Sequence, residues 1–159
     1  MFREMRRGKQ QLSREEAAAV LERGSTGVLA VSGDDGYPYA VPVNYVYAAG
    51  KIFFHCAVSG HKLDAIGNCD KVSFCVIDRD EAVPEALTTR YRSVIAFGRA
   101  EILDDPARIT AAMRTLGLKF SPDAAKIDAE IRDAMERFRC VQITVEHLTG
   151  KASIELIRP

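Results

Sequence analysis

Short apolar segments joined by turns constrain the fold of this chain more than any other feature. Residues 26–31 have the composition of a strand, and the Gly33-Asp34-Asp35-Gly36 turn sequence leads into a second strand at 37–47. A further turn at 48–51 leads into a third strand, 52–57. Because these strands follow one another without regular helical crossovers, they predict an antiparallel barrel and not a doubly wound parallel sheet.

Later segments complete the predicted sheet. Further strands are predicted at 71–78, 92–103, 140–148 and 152–157. Gly98 is the expected site of a bulge or bend, and the polar segment 79–89 is predicted to be a loop that could cover a site. The fold class is therefore α+β and β-rich, with six or seven antiparallel strands and flanking helices, in a single domain over residues 1–159.

Capping residues predict where the flanking helices begin. Ser13 and Glu16 form the spacing of a capping box, and Asp105-Pro106 places a cap before a proline in the first helical turn. Ser121-Pro122 repeats that arrangement, and the helix it starts is predicted to run through Phe138. Apolar residues at spacings of three and four indicate that these helices pack one face on the sheet.

Charge and hydropathy exclude several classes of function. The 22 basic and 22 acidic residues give a net charge of zero, which argues against a nucleic-acid binder that works by bulk electrostatics. Basic residues gather in the first nine positions, but no apolar segment follows them, so a signal peptide is not expected. No apolar run reaches the ~18 residues of a membrane-spanning helix, and the expected location is the cytoplasm.

The cysteines and histidines do not have the spacing of a metal site. His55, Cys56, His61 and Cys69 match no standard zinc pattern, and His55 and Cys56 point to opposite faces of a strand. The four cysteines also lack the spacing of a disulfide framework. We therefore expect neither a metal nor a disulfide.

The turn after the third strand has the features of a phosphate site. Ser59 can cap the following helix, Gly60 allows close approach of a ligand to the backbone, and the first helical amides favour an anion. A cation such as Lys62 is mildly unfavourable at a helix N-terminus unless an anion is bound there. The alternative is an ordinary surface helix with a solvated lysine, and His61 is either a phosphate contact or solvated.

The strand at 37–47 is unusual because it contains two prolines. Pro38 and Pro42 each remove a ladder hydrogen bond, so this strand is expected at a sheet edge or at a bulge near Pro42. Its open backbone groups could pair with a flat heteroaromatic ligand, or it could be only an edge protected from aggregation. Asn44 lies within the apolar run and needs a partner if it is buried.

Several of these motifs together resemble the pyridoxamine 5'-phosphate oxidase-like flavoproteins. The similar segments are 27–31, 37–45, 54–62, 71–74 and 91–94. The patterns Pro-Tyr-x-Val-Pro-x-Asn and His-x-Ala-x-x-Gly-x-Lys, in this order, are the more specific ones, and the branch that the chain resembles most is the nitroimidazole-resistance (Nim-type) branch. The resemblance implies a split β-barrel homodimer that binds two FMN molecules at the subunit interface.

The resemblance also implies a set of cofactor-binding positions. Residues 41–44 would line the isoalloxazine ring, His55 and Ala57 would face the ring or the ribityl chain, and Lys62 would hold the phosphate. The full implied set is Val41, Pro42, Val43, Asn44, His55, Ala57, Ser59, His61, Lys62, Arg92 and Ser93. Arg92 and Ser93 would complete the pocket, either from the same chain or from the partner.

No side chain is identified as catalytic, although His55 is the best candidate to tune the flavin or to contact a substrate. The alternative interpretation of His55 is a structural histidine that is half-buried in a strand and has a hydrogen-bond partner. The expected activity is an FMN-dependent reduction of a small aromatic or nitro compound, with NAD(P)H as one candidate donor. A flavin carrier or sensor, and a haem-binding relative on the same barrel, remain alternatives. The chain lacks the C-terminal arginine–histidine pair of the vitamin B6 oxidases, which argues against B6 oxidation.

Overall fold

The computed structural model describes residues 1–157; the last two residues of the C-terminal segment compared with the B6 oxidases, 158 and 159, lie outside that range. Its helices are α1 (Arg14–Arg23), α2 (His61–Asn68), α3 (Pro106–Phe120) and α4 (Ala124–Ala134). Its strands are β1 (Thr26–Ser32), β2 (Pro38–Asn44), β3 (Val46–Ala48), β4 (Lys51–Cys56), β5 (Lys71–Val83), β6 (Thr88–Ile102) and β7 (Arg139–Ala152).

The seven strands form one antiparallel sheet in the order β2-β1-β5-β6-β7-β4-β3, which confirms the β-rich α+β class. Strands β2 and β3 lie at opposite edges of that order, yet only Tyr45 separates them in the chain. The sheet must therefore curl until its two edges meet at Tyr45. The result is a rolled sheet that stays unpaired between β2 and β3, as in a split barrel.

Two apolar clusters hold this arrangement. The first fills the inside of the rolled sheet, where Tyr45 and Phe74 are fully buried and meet edge to face at 5.0 Å between ring centroids. The Tyr45 hydroxyl donates a 2.7 Å hydrogen bond to the Leu21 carbonyl, so the corner between β2 and β3 is tied to α1. The second cluster packs α3 and α4 on the outer side of β3, β4 and β7, with Met113 and Cys140 among its members.

The prediction of a single strand over 37–47 is wrong, because the segment forms two strands, β2 and β3. The prediction that it lies at a sheet edge is confirmed. The segment breaks at Tyr45, because the chain there leaves one sheet edge and enters the other. Strand β2 is an edge strand, as its two prolines predicted, and Pro42 lies opposite Val28 of β1.

The loop predicted over 79–89 is wrong. Strands β5 and β6 remain paired as far as Val83 and Thr88, and a single 3-10 turn, Pro84–Ala86, joins them. Polarity there reflects a ribbon that is exposed on both faces, which single-sequence patterns do not separate from a loop. The irregularity expected at Gly98 is confirmed by a register shift between Phe97 and Gly98, although the extra residue of the bulge, Glu146, lies in β7.

The final strand pair is also wrong, because residues 139–152 form the single strand β7. Gly150, which falls between the two predicted strands, pairs with Val94 within the β6–β7 ladder. A Cβ at Gly150 would lie 2.7 Å from Leu12 Cδ1, and the Leu12 amide donates to the Gly150 carbonyl at 2.9 Å. This glycine therefore allows a close approach of the N-terminal segment and does not make a turn.

The helices begin largely where the caps predicted. The Ser13–Glu16 capping box and the Asp105 cap are confirmed. Helix α4, however, is capped by Asp123 and not by Ser121, and it ends at Ala134, before Phe138. Among the helices of residues 1–157, none has both the length and the apolar composition needed to cross a membrane.

Candidate functional site

Helix α2 begins one residue later than the Ser59 cap required, and that part of the prediction is wrong. Gly60 occupies the cap position at φ +144°, a conformation that glycine adopts without the strain of a side chain. No side chain caps the helix, and Ser59 is exposed in the segment before it. Hydrogen bonding back to Gly60 begins with the amides of Leu63 and Asp64. The amides of the two preceding residues therefore remain available for an anion.

Lys62 adds a positive charge to this turn. In the part of the chain that the structure describes, no carboxylate lies within the 4.0 Å of a salt bridge from its ammonium. The charge lies near the Cys56 thiol, whose pKa is raised by burial and lowered in part by Lys62. A half-buried lysine without a carboxylate partner fits the predicted phosphate contact.

His61 is held by the protein itself. Its ring stacks on Tyr39 of β2 with centroids 4.2 Å apart, and its Nε2 lies 3.7 Å from a carboxylate oxygen of Asp34. Asp34 belongs to the β1–β2 turn, so His61 fixes the start of α2 to that hairpin. The ring contact places the Lys62 turn beside β2, while His61 Nε2 is buried and has no hydrogen-bond partner among the described residues.

Asn44 and His55, two of the predicted site residues, face a single cavity. Asn44 ends β2, His55 lies near the end of β4, and α3 and α4 supply the opposite wall. The cavity has a volume of about 580 Å³, within the usual range for small-molecule sites. We call it the groove; its lining residues are Asn44, His55, Met113, Leu116, Gly117, Phe120, Ser121, Lys126, Ile127, Glu130 and Ile131.

The two strand residues present polar groups to the groove. The Asn44 amide nitrogen donates to the Ser25 carbonyl and to Thr26 Oγ1, each at 3.1 Å, which leaves the Asn44 carbonyl oxygen available. The His55 side chain is exposed and meets the edge of the Phe138 ring at 6.1 Å between centroids. The predicted alternative for His55, a half-buried histidine, does not match its exposure.

The helical wall was not predicted from the sequence. Its apolar spacing indicated packing on the sheet, but not that the helices would leave a groove beside it. Gly117 was the available signal, since glycine inside a helix costs about 1 kcal/mol relative to alanine and needs a reason. A Cβ there would lie 2.7 Å from Ile127 Cγ2, so Gly117 lets α3 and α4 approach closely.

Lys119 fixes the end of α3 beside the groove. Its ammonium donates to the Tyr45 carbonyl at 3.1 Å and to the Gly24 carbonyl, and it lies 4.5 Å from the centroid of the Tyr45 ring. Burial lowers the pKa of this lysine. The contact joins α3 to the corner where β2 ends, which places Phe120 and Asn44 on one cavity.

Other predicted residues lie elsewhere. The side chains of Val41 and Val43 pack against the sheet interior, whereas Pro42 is exposed on the outer face of β2. Ala57 is exposed in the segment between β4 and α2. Lys62 does not line the groove, although it follows His55 along the same stretch of chain.

Arg92 and Ser93 are not brought to the Lys62 turn within one chain. Arg92 Nη1 donates to Asp78 at 3.2 Å, and Ser93 pairs with Ile77 and Lys151 inside the sheet. Strand β6 meets the segment just after α2 at Ala100, whose amide donates to the Asp70 carbonyl. Ala100 is eight residues beyond Arg92, roughly 26 Å along the strand.

Metal ligands do not converge in the described chain. Within residues 1–157, no three His, Cys, Asp or Glu side chains lie close enough together to hold a metal ion. All four cysteines are free thiols.

A family model described as "Pyridoxamine 5'-phosphate oxidase" matches residues 13–152 of the chain. This match spans all seven strands and all four α-helices of residues 1–157. No curated protein is similar enough to the chain to count as a match.

Solved structures share the fold at low sequence identity. The conserved hypothetical protein Rv2991 from Mycobacterium tuberculosis has a TM-score of 0.81 and 22% identity, with 98% of this chain and 94% of that chain covered. A candidate 5-nitroimidazole antibiotic resistance protein from Bacteroides thetaiotaomicron has a TM-score of 0.75 and 15% identity over 89% and 86%. A FAD and heme binding protein from Mycobacterium smegmatis has a TM-score of 0.75 and 22% identity over 91% and 73%.

Proposed function

The chain belongs to the pyridoxamine 5'-phosphate oxidase family, and from this premise we propose that it is a flavin-dependent oxidoreductase that binds FMN and reduces a small aromatic or nitro compound. One observation carries the proposal. Asn44 and His55 face a cavity of about 580 Å³, and the chain runs from His55 directly to a half-buried lysine at an uncapped helix start.

The residues fit a cofactor with a flat ring at one end and a phosphate at the other. The Lys62 ammonium and the free amides of the first turn of α2 suit a dianionic phosphate. Gly60 has φ +144°, and no atom lies within 4 Å of the position that a Cβ would occupy there, so the approach stays open. The free Asn44 carbonyl oxygen suits a ring N–H, and His55 suits the ring or the chain that links it to the phosphate.

The bound flavin would supply the two-electron chemistry, and the protein would supply binding and orientation. With a nitroarene, NAD(P)H and one proton would yield the nitroso compound, NAD(P)⁺ and water. His61, stacked on Tyr39 and beside Asp34, would hold the phosphate turn in place. His55 would orient the ring or the substrate, and we assign no proton transfer to it.

A homodimer is part of this proposal. The outer faces of β5 and β6 expose the apolar side chains of Ile77, Ile95 and Phe97, with exposed fractions of 66%, 41% and 39%. Such a face favours burial against a second copy. Arg92 and Ser93 could contact a flavin only across that interface.

A haem is the second candidate cofactor, because His55 is a histidine that faces a largely apolar cavity. The similar protein from Mycobacterium smegmatis is named for binding both FAD and heme. An absorption spectrum separates the two candidates, since haem gives one intense, sharp Soret band, whereas an oxidised flavin gives two broader bands, one at shorter and one at longer wavelength than the Soret band.

The decisive experiment is mass spectrometry of the ligand released from purified protein. FMN supports the proposal, while FAD, a deazaflavin or haem would each replace it with a different cofactor. NAD(P)H should then bleach the flavin bands anaerobically, and a nitroarene should restore them. Bound FMN that neither NADH nor NADPH reduces would indicate a carrier or sensor.

A further inference from the structure

The groove has two chemically different walls. The strand wall carries the polar groups of Asn44 and His55, whereas the helix wall is built largely from apolar side chains of α3 and α4. Met113, Leu116 and Ile131 at its base are buried, and Phe120 at its rim is 54% exposed. A ligand that lies against the helices therefore meets an apolar surface.

Charge is balanced at the groove. Among its lining residues, in the described part of the chain, the charged side chains are Lys126 and Glu130. They lie four residues apart on α4, so they are neighbours on one face of the helix and have opposite signs. Both are exposed, and neither forms a salt bridge within residues 1–157. An anionic ligand would gain little from Lys126 because Glu130 opposes it.

We propose that the helix wall of the groove binds an uncharged, planar aromatic compound, stacked beside the flavin that the strand wall and the Lys62 turn hold. This inference rests on the proposed function, narrows its substrate class to uncharged compounds, and assigns them to the helix wall. Two-electron transfer requires the reacting atoms to come within about 3–3.5 Å, so the substrate must share the cavity that receives the flavin ring. Gly117 keeps α3 and α4 close, which fixes the apolar wall opposite Asn44 and His55.

The same chemistry disfavours phosphorylated or carboxylated substrates. Moving a carboxylate into an apolar groove is costly unless it meets a dedicated cation. Among the described residues that line the groove, Lys126 is the one lysine or arginine, and Glu130 lies beside it. An uncharged nitroarene or quinone meets no such penalty.

Methionine methyl groups give a direct readout of binding. The chain has four methionines: Met113 lines the groove, while Met135 lines a separate cleft beside Ile109 and Phe138. In protein labelled with ¹³C-methyl methionine and carrying its own cofactor, nitrobenzene should shift the Met113 signal and leave Met135 unchanged. The probe 4-nitrobenzoate, which has the same ring with an added carboxylate, should bind roughly tenfold more weakly or worse.

Two substitutions on α3 make a matched pair. Phe120→Asp places a charge on the groove wall and should weaken nitrobenzene binding by roughly tenfold. Leu118→Asp is the control, because Leu118 is 42% exposed on the same helix and does not line the groove. It should leave the affinity unchanged.

Equal affinity for the two probes, a shift at Met135 alone, or equal effects of the two variants would overturn the inference. The flavin content of each sample, measured by absorbance, separates this failure from that of the proposed function. If nitrobenzene does not shift the Met113 signal of flavin-loaded protein, only the assignment of the groove is refuted. A haem bound in the groove also refutes it. Protein that lacks flavin but binds nitrobenzene at Met113 refutes the proposed function and supports the groove.

Discussion

The groove and the cluster around Asp78 use polar residues in opposite ways. We call Arg23, Asp78 and Arg92 the Asp78 cluster. Both Asp78 oxygens accept hydrogen bonds from Arg23, at 2.6 and 2.7 Å, and Arg92 donates a third at 3.2 Å. In the groove, by contrast, His55 and the two charged residues of α4 form no salt bridge with other described residues.

This difference separates a structural polar site from a candidate ligand site. The Asp78 carboxylate is only 13% exposed, and its three hydrogen bonds offset the cost of removing it from water. Within one chain, Arg23 and Arg92 both hydrogen-bond to this carboxylate. Polar groups that surround a cavity without partners remain available to a ligand. Arg92 and Lys62 are both cations of the predicted cofactor-binding set, and the structure distinguishes them by their carboxylate partners.

The largest expected effect is at the Asp78 cluster. Asp78→Ala should lower the free energy of unfolding by about 2–3 kcal/mol, because it leaves Arg23 and Arg92 without their shared carboxylate. Urea unfolding measures the loss. The control Asp128→Ala removes an exposed pair with Arg114, both partners being nearly half exposed, and should cost less than about 1 kcal/mol. Similar losses in the two variants would mean that the Asp78 cluster is no more structural than an ordinary surface pair.

The next effect is on cofactor affinity. Lys62→Ala should weaken FMN binding by roughly 10- to 100-fold, since a hydrogen bond to a charged group contributes about 1.5–3 kcal/mol. The free energy of unfolding of the cofactor-free protein should change by less than about 0.5 kcal/mol. Titration calorimetry and urea unfolding give the two numbers, and Lys71→Ala is the control, as an exposed lysine just after α2. If stability falls as much as affinity, Lys62 is structural.

A smaller effect is expected from acid. Hydrogen bonds from Arg23 hold the pKa of Asp78 below its usual value of 3.8. The folded state therefore binds fewer protons than the unfolded state near pH 4, and stability falls as the pH drops through the folded pKa. The contribution of Asp78 is complete above about pH 4–5 and is lost below it.

Asp78→Asn tests this dependence. Its free energy of unfolding should fall less between pH 5 and pH 2.5 than that of the unmodified protein, because the titrating group is gone. Parallel curves for the two proteins would show that other carboxylates, such as Glu16 in the capping box, dominate the acid response.

The smallest expected change is at Cys140, beneath the groove. Cys140 lies opposite His55 in the β4–β7 register, is fully buried, and has its pKa raised by burial to about 12. Its thiol should stay protonated and unmodified by iodoacetamide at pH 8, as mass spectrometry of native protein would show. In urea all four cysteines should react. Native alkylation of Cys140 as fast as that of the partly exposed Cys69 would indicate loose packing under the groove.

Interactions between residues close in the sequence determined several features of this fold. The turn at 33–36, the prolines of β2, and the caps at Ser13 and Asp105 act within a few residues, so the antiparallel order, the edge strand and the starts of α1 and α3 were all predictable. The motif from His55 to Lys62 and the motif from Pro38 to Asn44 together predicted the family, which the family model confirms.

Tertiary structure decided what depends on residues far apart in the chain. Only the rolled sheet shows that β2 must break at Tyr45, that Gly150 accommodates Leu12, and that Arg92 already has a carboxylate partner. The groove likewise exists only because α3 and α4 lie across from Asn44 and His55. The physical reason is range: caps and turns are satisfied by neighbours in sequence, whereas packing and ion pairing are satisfied by neighbours in space.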